Sequence, residues 1–297
     1  MARGLIRTGD PCFPWADSVA EAVSAATNRL VRWREIDVVV QPTGWTPREP
    51  FEDLRMMDSP LFLTEDLADA VRDAYEGEVP DQAKLVQATG YVMSQAAALS
   101  TPEYDNIGGI NKAEAYLNTG LGDVFTQERL GELWSKTDSG KLLPAEQVAD
   151  FGYAARNPEA AAATRALMTE IVRQQGGTPA GPEDFAALSN WMLAAEPDRC
   201  WEKAIELLPG TDELSGRDRL RAERTLEYGF TQAVEKDQPE HATEAVRTAA
   251  EKADPLLRRL TQDPALAPAQ GAANTAGVPA GYVRGTINPN RDHRGLG

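Results

Sequence analysis

Histidine and cysteine are almost missing from this chain, with two of each among its residues. Nucleophilic catalysis usually takes its base from histidine, and zinc sites take most of their ligands from both residue types. His241 stands in the first turn of a helix after Pro239, between Glu240 and Glu244, which is a solvated setting. His293 falls in a segment with almost no core-forming residues. The Glu-x-x-His spacing of di-iron bundles does not occur. Cys12 and Cys200 are too few and too far apart for a disulfide framework or a zinc site, and they fit a reducing compartment. No cofactor motif is present, and the residue types argue against an enzyme.

Long apolar runs are lacking too. Nothing approaches the ~18–20 apolar residues that span a bilayer. The opening residues MARGLIRTGDPCFPW do not contain the apolar run of a secretory signal. Together these absences point to the cytoplasm, or to a particle assembled there, and to no membrane partner.

Positive charge is the third scarcity. Lys and Arg number 30 against 46 Asp and Glu, a formal net charge of -16. Such a body repels nucleic acid and anionic membranes, which works against direct nucleic-acid binding. The local exception is Arg29, Arg32 and Arg34 around Trp33, since arginines beside an aromatic residue can mark nucleic-acid contacts. Trp33 belongs to the apolar seam of a helix, however, and arginine stems packing beside it account for the trio.

What the sequence has in quantity is amphipathic helix. From Leu143 to Leu260 short helices follow one another, each opened by a proline or a small polar residue. Asn157–Pro158 is a cap followed by proline at the first helical position. The helix so opened carries Ala161, Thr164, Leu167, Met168, Ile171 and Val172 on one face, and Gly176–Gly177 end it. Pro182 opens a helix with Phe185, Leu188, Trp191, Met192 and Ala195 inward. The next, begun at Asp198, turns Trp201, Ala204, Ile205 and Leu208 inward. Ser215 caps a longer helix with Leu220, Leu226, Phe230 and Val234 inward, and Pro239 and Pro255 open two more. Short links predict antiparallel neighbours, as a bundle or an irregular solenoid, with no fixed repeat.

Upstream, Ser18 and Glu21 form a capping-box pattern, and Val19, Val23, Ala26, Leu30 and Trp33 make an apolar seam. Thr64 to Glu76 and Asp81 to Leu99 are helical, as is Thr126 to Lys136. Pro102, Gly108–Gly109, Gly120 and Gly122 predict broken structure over 102–124, around a short helical piece at Lys112–Leu117.

One strand is clear, Glu35 to Gln41 (EIDVVVQ). Its partner is either a short segment of the same chain, such as Ser59–Leu63 or Gly281–Ile287, or another subunit, with the first favoured. The fold expected is therefore mainly α: an irregular multi-helix body with one or two short strands and extended arms. The parts are an N-terminal arm (1–15), a helical part with the strand (16–142), the central stretch (143–263) and an Ala/Gly/Pro-rich C-terminal arm (264–297).

Three patterns mimic ligand sites. Asp66, Asp69, Asp73 and Glu76 share one side of a helix and have the oxygen chemistry of a divalent-cation site. With Leu67, Ala70 and Val71 opposite, they read as a solvated face. Asp138-Ser-Gly-Lys opens like a calcium loop but lacks the later ligands. Gly120-Leu-Gly122 lacks the strand–turn–helix setting of a phosphate loop and reads as a turn.

These observations favour a non-enzymatic structural subunit of a homo-oligomeric particle, with capsid or connector proteins of a bacterial virus as the type. Residues 265–297 hold three arginines against one aspartate, so a mildly basic tail would be drawn to an acidic neighbour. Candidate intersubunit contacts are Ile36, Val38 and Val40 of the strand, with Val278, Tyr282, Val283, Ile287, Arg284 and Arg291 of the tail. The rival readings are a carboxylate- and metal-using enzyme on a helical core, and an acidic adaptor or nucleic-acid mimic.

Overall fold

A computed structural model of the chain describes residues 4–5, 9–29, 39–41, 62–99, 111–177, 181–195 and 199–253. All of them fall in one unit, Met1–Arg258. In chain order the elements are β1 (Gly4–Leu5), α1 (Cys12–Thr27), β2 (Val39–Gln41), β3 (Phe62–Thr64), α2 (Glu65–Glu76), α3 (Gln82–Leu99) and α4 (Lys112–Trp134). The single turns α5 (Ser139–Leu142) and α6 (Ala145–Val148) follow. Then come α7 (Pro158–Gln174), α8 (Pro182–Met192), α9 (Cys200–Glu206), α10 (Gly216–Glu235) and α11 (Glu240–Ala253). The architecture is mainly α, as the sequence predicts. Among the described residues no helix is long and apolar enough to cross a membrane.

Local chemistry sets the helix ends. Asn157 caps α7, its side chain accepting from Ala160 N at 2.9 Å, and Pro158 takes the first helical position. Ser215 caps α10 through Asp218 N at 3.2 Å. Asn111 and Glu114 make a reciprocal capping box for α4, with hydrogen bonds of 3.0 and 2.6 Å. Gly77 ends α2 at a positive φ of 81°, a conformation that costs glycine little.

The core is organised around α4, which packs against α1, α3, α7, α8, α9 and α10. The helical piece expected at Lys112–Leu117 is present, but the break expected after it is not: the helix runs on through Gly120 and Gly122 to Trp134. From Ala113 to Thr126 every residue of α4 is buried, so this part of the helix has no solvated face and shows no amphipathic period to read. Its glycines are contact points instead of turns. A Cβ on Gly120 would lie 2.1 Å from Thr164 Oγ1 and 2.6 Å from Ala160 O of α7; one on Gly122 would lie 2.5 Å from Ser94 O of α3. Two helices are thereby drawn in on two sides of α4, at a helix-propensity cost that the close packing offsets.

The N-terminal arm is also shorter than expected. α1 begins at Cys12, and Cys12 and Trp15 are buried. Asp10 accepts from Cys12 N at 2.9 Å, and Pro14 is tolerated because a first-turn residue needs no intrahelical N–H partner. Ser18 therefore does not cap: its hydroxyl donates to Trp15 O (2.7 Å) and accepts from Asp138 N (3.0 Å). Val19 and Val23 of the predicted seam are buried and Ala26 packs on the core; Leu30 and Trp33 lie outside the described residues.

β2 is the middle strand of a three-stranded sheet. It runs antiparallel to β1, with Gly4 opposite Val40, and parallel to β3, with Val40 opposite Leu63. The backbone pairing that the strand needs is met inside the chain, by residues overlapping Ser59–Leu63. Leu220 departs from its expected place: it is 48% exposed because it lies about 120° round α10 from the buried Leu226.

Candidate functional site

Among the described residues Asp123 is the best-buried charge, at 0% exposure on α4. Its Oδ1 accepts from Ser94 Oγ of α3 (2.6 Å) and from the Tyr153 hydroxyl (2.7 Å), and its Oδ2 accepts from Asn157 N (3.0 Å). Arg156 Nε stands 3.9 Å from Oδ1, and the Arg156 guanidinium lies 5.3 Å from the centre of the Tyr91 ring. Tyr153 reaches this point because Gly90 has no side chain; a Cβ there would sit 2.3 Å from the tyrosine ring. Burial first, and the Asp123 charge second, hold the Tyr153 phenol well above its ordinary pKa, so it stays a neutral donor. Three donors and an arginine satisfy the carboxylate. The arrangement ties α3, α4 and the cap of α7 into one block.

Further polar contacts do the same work elsewhere. Arg29, at the end of α1, donates to the carbonyls of Asn190 and Leu193 and to Asn190 Oδ1, the last at 2.7 Å. These carbonyls close α8, where a cation meets the negative end of the helix dipole. Burial lowers the Arg29 pKa to about 10, which leaves it charged at neutral pH. Nearby, the Cys200 thiol donates to Asn118 Oδ1 at 3.3 Å, and Asn118 Nδ2 donates to Glu114 O at 2.9 Å. Ser139, from the stretch that resembles a calcium loop, is fully buried; it accepts from Trp15 Nε1 and shares a hydrogen bond with Thr89 Oγ1, both 2.8 Å. The Cys12 thiol donates to Ala68 O at 3.5 Å, and burial together with Asp10 raises its pKa, so it is protonated.

The exposed chemistry is segregated. On α2, Glu65, Asp69 and Glu76 are exposed, Asp66 and Asp73 are half-buried, and Asp69 pairs with Arg72 at 2.8 Å. Leu67, Ala70 and Val71 face the core, as the sequence predicts, and so does Ala68. On α10 the outer face presents Arg217, Leu220, Arg221, Arg224 and Tyr228, all exposed, with Tyr228 70% open. His241 is half-buried, its ring hydrogen-bonded to Gln238 Oε1 at 2.8 Å.

No protein-family model, no curated protein and no solved structure matches this chain. The reading of its function therefore rests on its own residues.

Of the residues expected at intersubunit contacts, Val40 lies in the central strand, laddered to its neighbours on both sides. Ile36, Val38, Val278, Tyr282, Val283, Arg284, Ile287 and Arg291 lie outside the described residues, as do Arg32 and Arg34 of the arginine trio. Two features escape a reading based on apolar periodicity. Asp123 sits between glycines and apolar residues, with nothing local to mark it as buried. The α10 stripe does have a signal: Arg217, Arg221, Arg224 and Tyr228 recur at spacings of four, three and four, which places them on one helix face.

Proposed function

We propose that the chain is a non-enzymatic structural subunit of a homo-oligomeric particle, such as a virion capsid or connector protein assembled in the cytoplasm. The observation that supports this is how the body allocates its polar chemistry. The buried carboxylate, the phenol beside it, the two thiols and the buried arginine all bond to other parts of the same chain. They fix helix against helix. Two exposed faces meanwhile carry opposite charge, Glu65, Asp69 and Glu76 on α2 and Arg217, Arg221 and Arg224 on α10, which suits contact between like subunits. The C-terminal segment adds a mildly basic stretch with Val278, Tyr282, Val283 and Ile287 as small apolar anchors, a composition suited to contact with a neighbouring subunit.

Light scattering on the full chain and on a chain ending at Pro264 tests the proposal. A full-length oligomer that the truncation takes apart supports it. Equal mass and equal thermal stability for both chains, each a monomer, contradicts it. The metal-using enzyme is tested in the same preparation: magnesium, manganese, calcium and zinc leave the melting temperature unchanged if the α2 carboxylates are only a solvated face.

A further inference from the structure

The stripe on α10 is out of character for a chain whose formal net charge is -16. Arg217, Arg221, Arg224 and Tyr228 occupy positions 0, 4, 7 and 11 of one helical face, with Leu220 at its edge, and the face extends about 16 Å along the axis. All five side chains are exposed, and two are large and apolar or aromatic. α2 is its counterpart. Residues 65–78 hold six acidic residues and one arginine. Glu65, Asp69 and Glu76 recur at positions 0, 4 and 11 of an outward face, again about 16 Å long. Val79, just beyond that helix, is 92% exposed, and Tyr75 is exposed on α2 itself. The two faces are alike in length and opposite in sign, Arg72 at position 7 of the α2 face being half-buried and turned to Asp69 and Asp10, and each carries exposed apolar or aromatic side chains beside its charges.

The geometry points to a head-to-tail contact in which the α10 stripe of one copy lies along the acidic face of α2 in the next. This rests on the assembly reading above and names the surfaces that carry it. Because the two faces differ, the contact is heterologous, and repeating it closes a ring or extends a filament in place of a two-fold dimer. The charges set the register of the two helices, and Leu220 and Tyr228 supply the desolvated contact. Arg221 exchanges its exposed pairing with Asp218, now 3.3 Å away, for a partner on the neighbouring copy.

Paired charge reversal in the full-length chain tests it. One variant carries Arg217→Glu, Arg221→Glu and Arg224→Glu; the other carries Glu65→Lys, Asp69→Lys and Glu76→Lys. All six positions are exposed, and circular dichroism with a thermal melt checks that each variant folds. Each variant alone should lose the assembly, falling from the native mass to that of one subunit. An equimolar mixture should regain it, since each reversed face then meets its complement. Wild-type assembly should also weaken as salt rises. An oligomer that survives both reversals overturns this contact while leaving the assembly reading standing. A wild-type chain that is monomeric overturns both. Variants that both fall apart and do not recover on mixing, or an α10 reversal that abolishes binding to a polyanion such as single-stranded DNA while the oligomer persists, assign the stripe to another partner.

Discussion

At the level of single residues the fold depends on places where a side chain is absent or a buried charge is satisfied. Gly120 and Gly122 lie on a helix, where alanine would ordinarily be preferred. At both, a Cβ would meet backbone oxygen closer than 3.0 Å. Gly120→Ala and Gly122→Ala should each cost about 1–3 kcal/mol or more in urea unfolding, because backbone cannot give way as a flexible side chain can. Gly131, on the same helix with no atom within 4 Å of its added Cβ, is the internal control. Gly131→Ala should stabilise by about 0.5–1 kcal/mol. Asp123→Ala should cost about 3–5 kcal/mol, since it strands Arg156 in the interior and leaves the Tyr153 and Ser94 hydroxyls without their acceptor. The acidic residues of α2 differ in this respect: Glu65→Gln should move stability by less than about 0.5 kcal/mol.

At the level of elements, what could be read from the sequence divides along a physical line. α7, α8, α9 and α10 each have one buried and one solvated side, and their inward residues follow from the apolar period, apart from Leu220. Their caps could be read as well, because Asn157 and Ser215 act on backbone N–H groups three residues away. Removing either hydroxyl or amide, as Asn157→Ala or Ser215→Ala, should cost about 1 kcal/mol. α4 could be read only at its two ends; its middle is buried all round and has no contrast between faces, and its glycines serve partners on α3 and α7 that lie far away in sequence. The start of α1 was obscured for a similar reason: Asp10 reaches Arg72, sixty-two residues on, at 2.8 Å, and that tertiary bond helps fix the first turn. Where α7 meets α11, Glu170 takes hydrogen bonds from Arg173 (2.8 Å), Gln174 (2.7 Å) and Arg247 (3.2 Å). Burial pushes the Glu170 pKa up, but these bonds together outweigh it and lower it to about 2. A carboxylate with a depressed folded-state pKa stabilises above its unfolded value, near 4.5, and that contribution fades as the pH falls towards 2. Thermal melts of the parent chain should therefore drop over that window. Glu170→Gln should be less stable at pH 7 by about 1.5–3 kcal/mol and should lose less of its stability on acidification.

For the whole molecule, the buried charges Asp123, Arg29 and Glu170 are met by partners of the same chain, the faces of α2 and α10 carry opposite charge, and residues 264–297 are rich in Ala, Gly and Pro. The sequence makes the tail, the acidity and the solvated acidic side of α2 plain, and the α10 stripe carries its spacing there, whereas the exposure of the two faces emerges only on the fold. The central claim is that this combination serves assembly. Native mass by light scattering, at moderate salt and for the full chain beside the chain ending at Pro264, tests it most directly. The account predicts a discrete multimer for the full chain and a shift toward single subunits once residues 265–297 are removed. A 32.2 kDa species for the full chain, unchanged in state by the truncation, would contradict it.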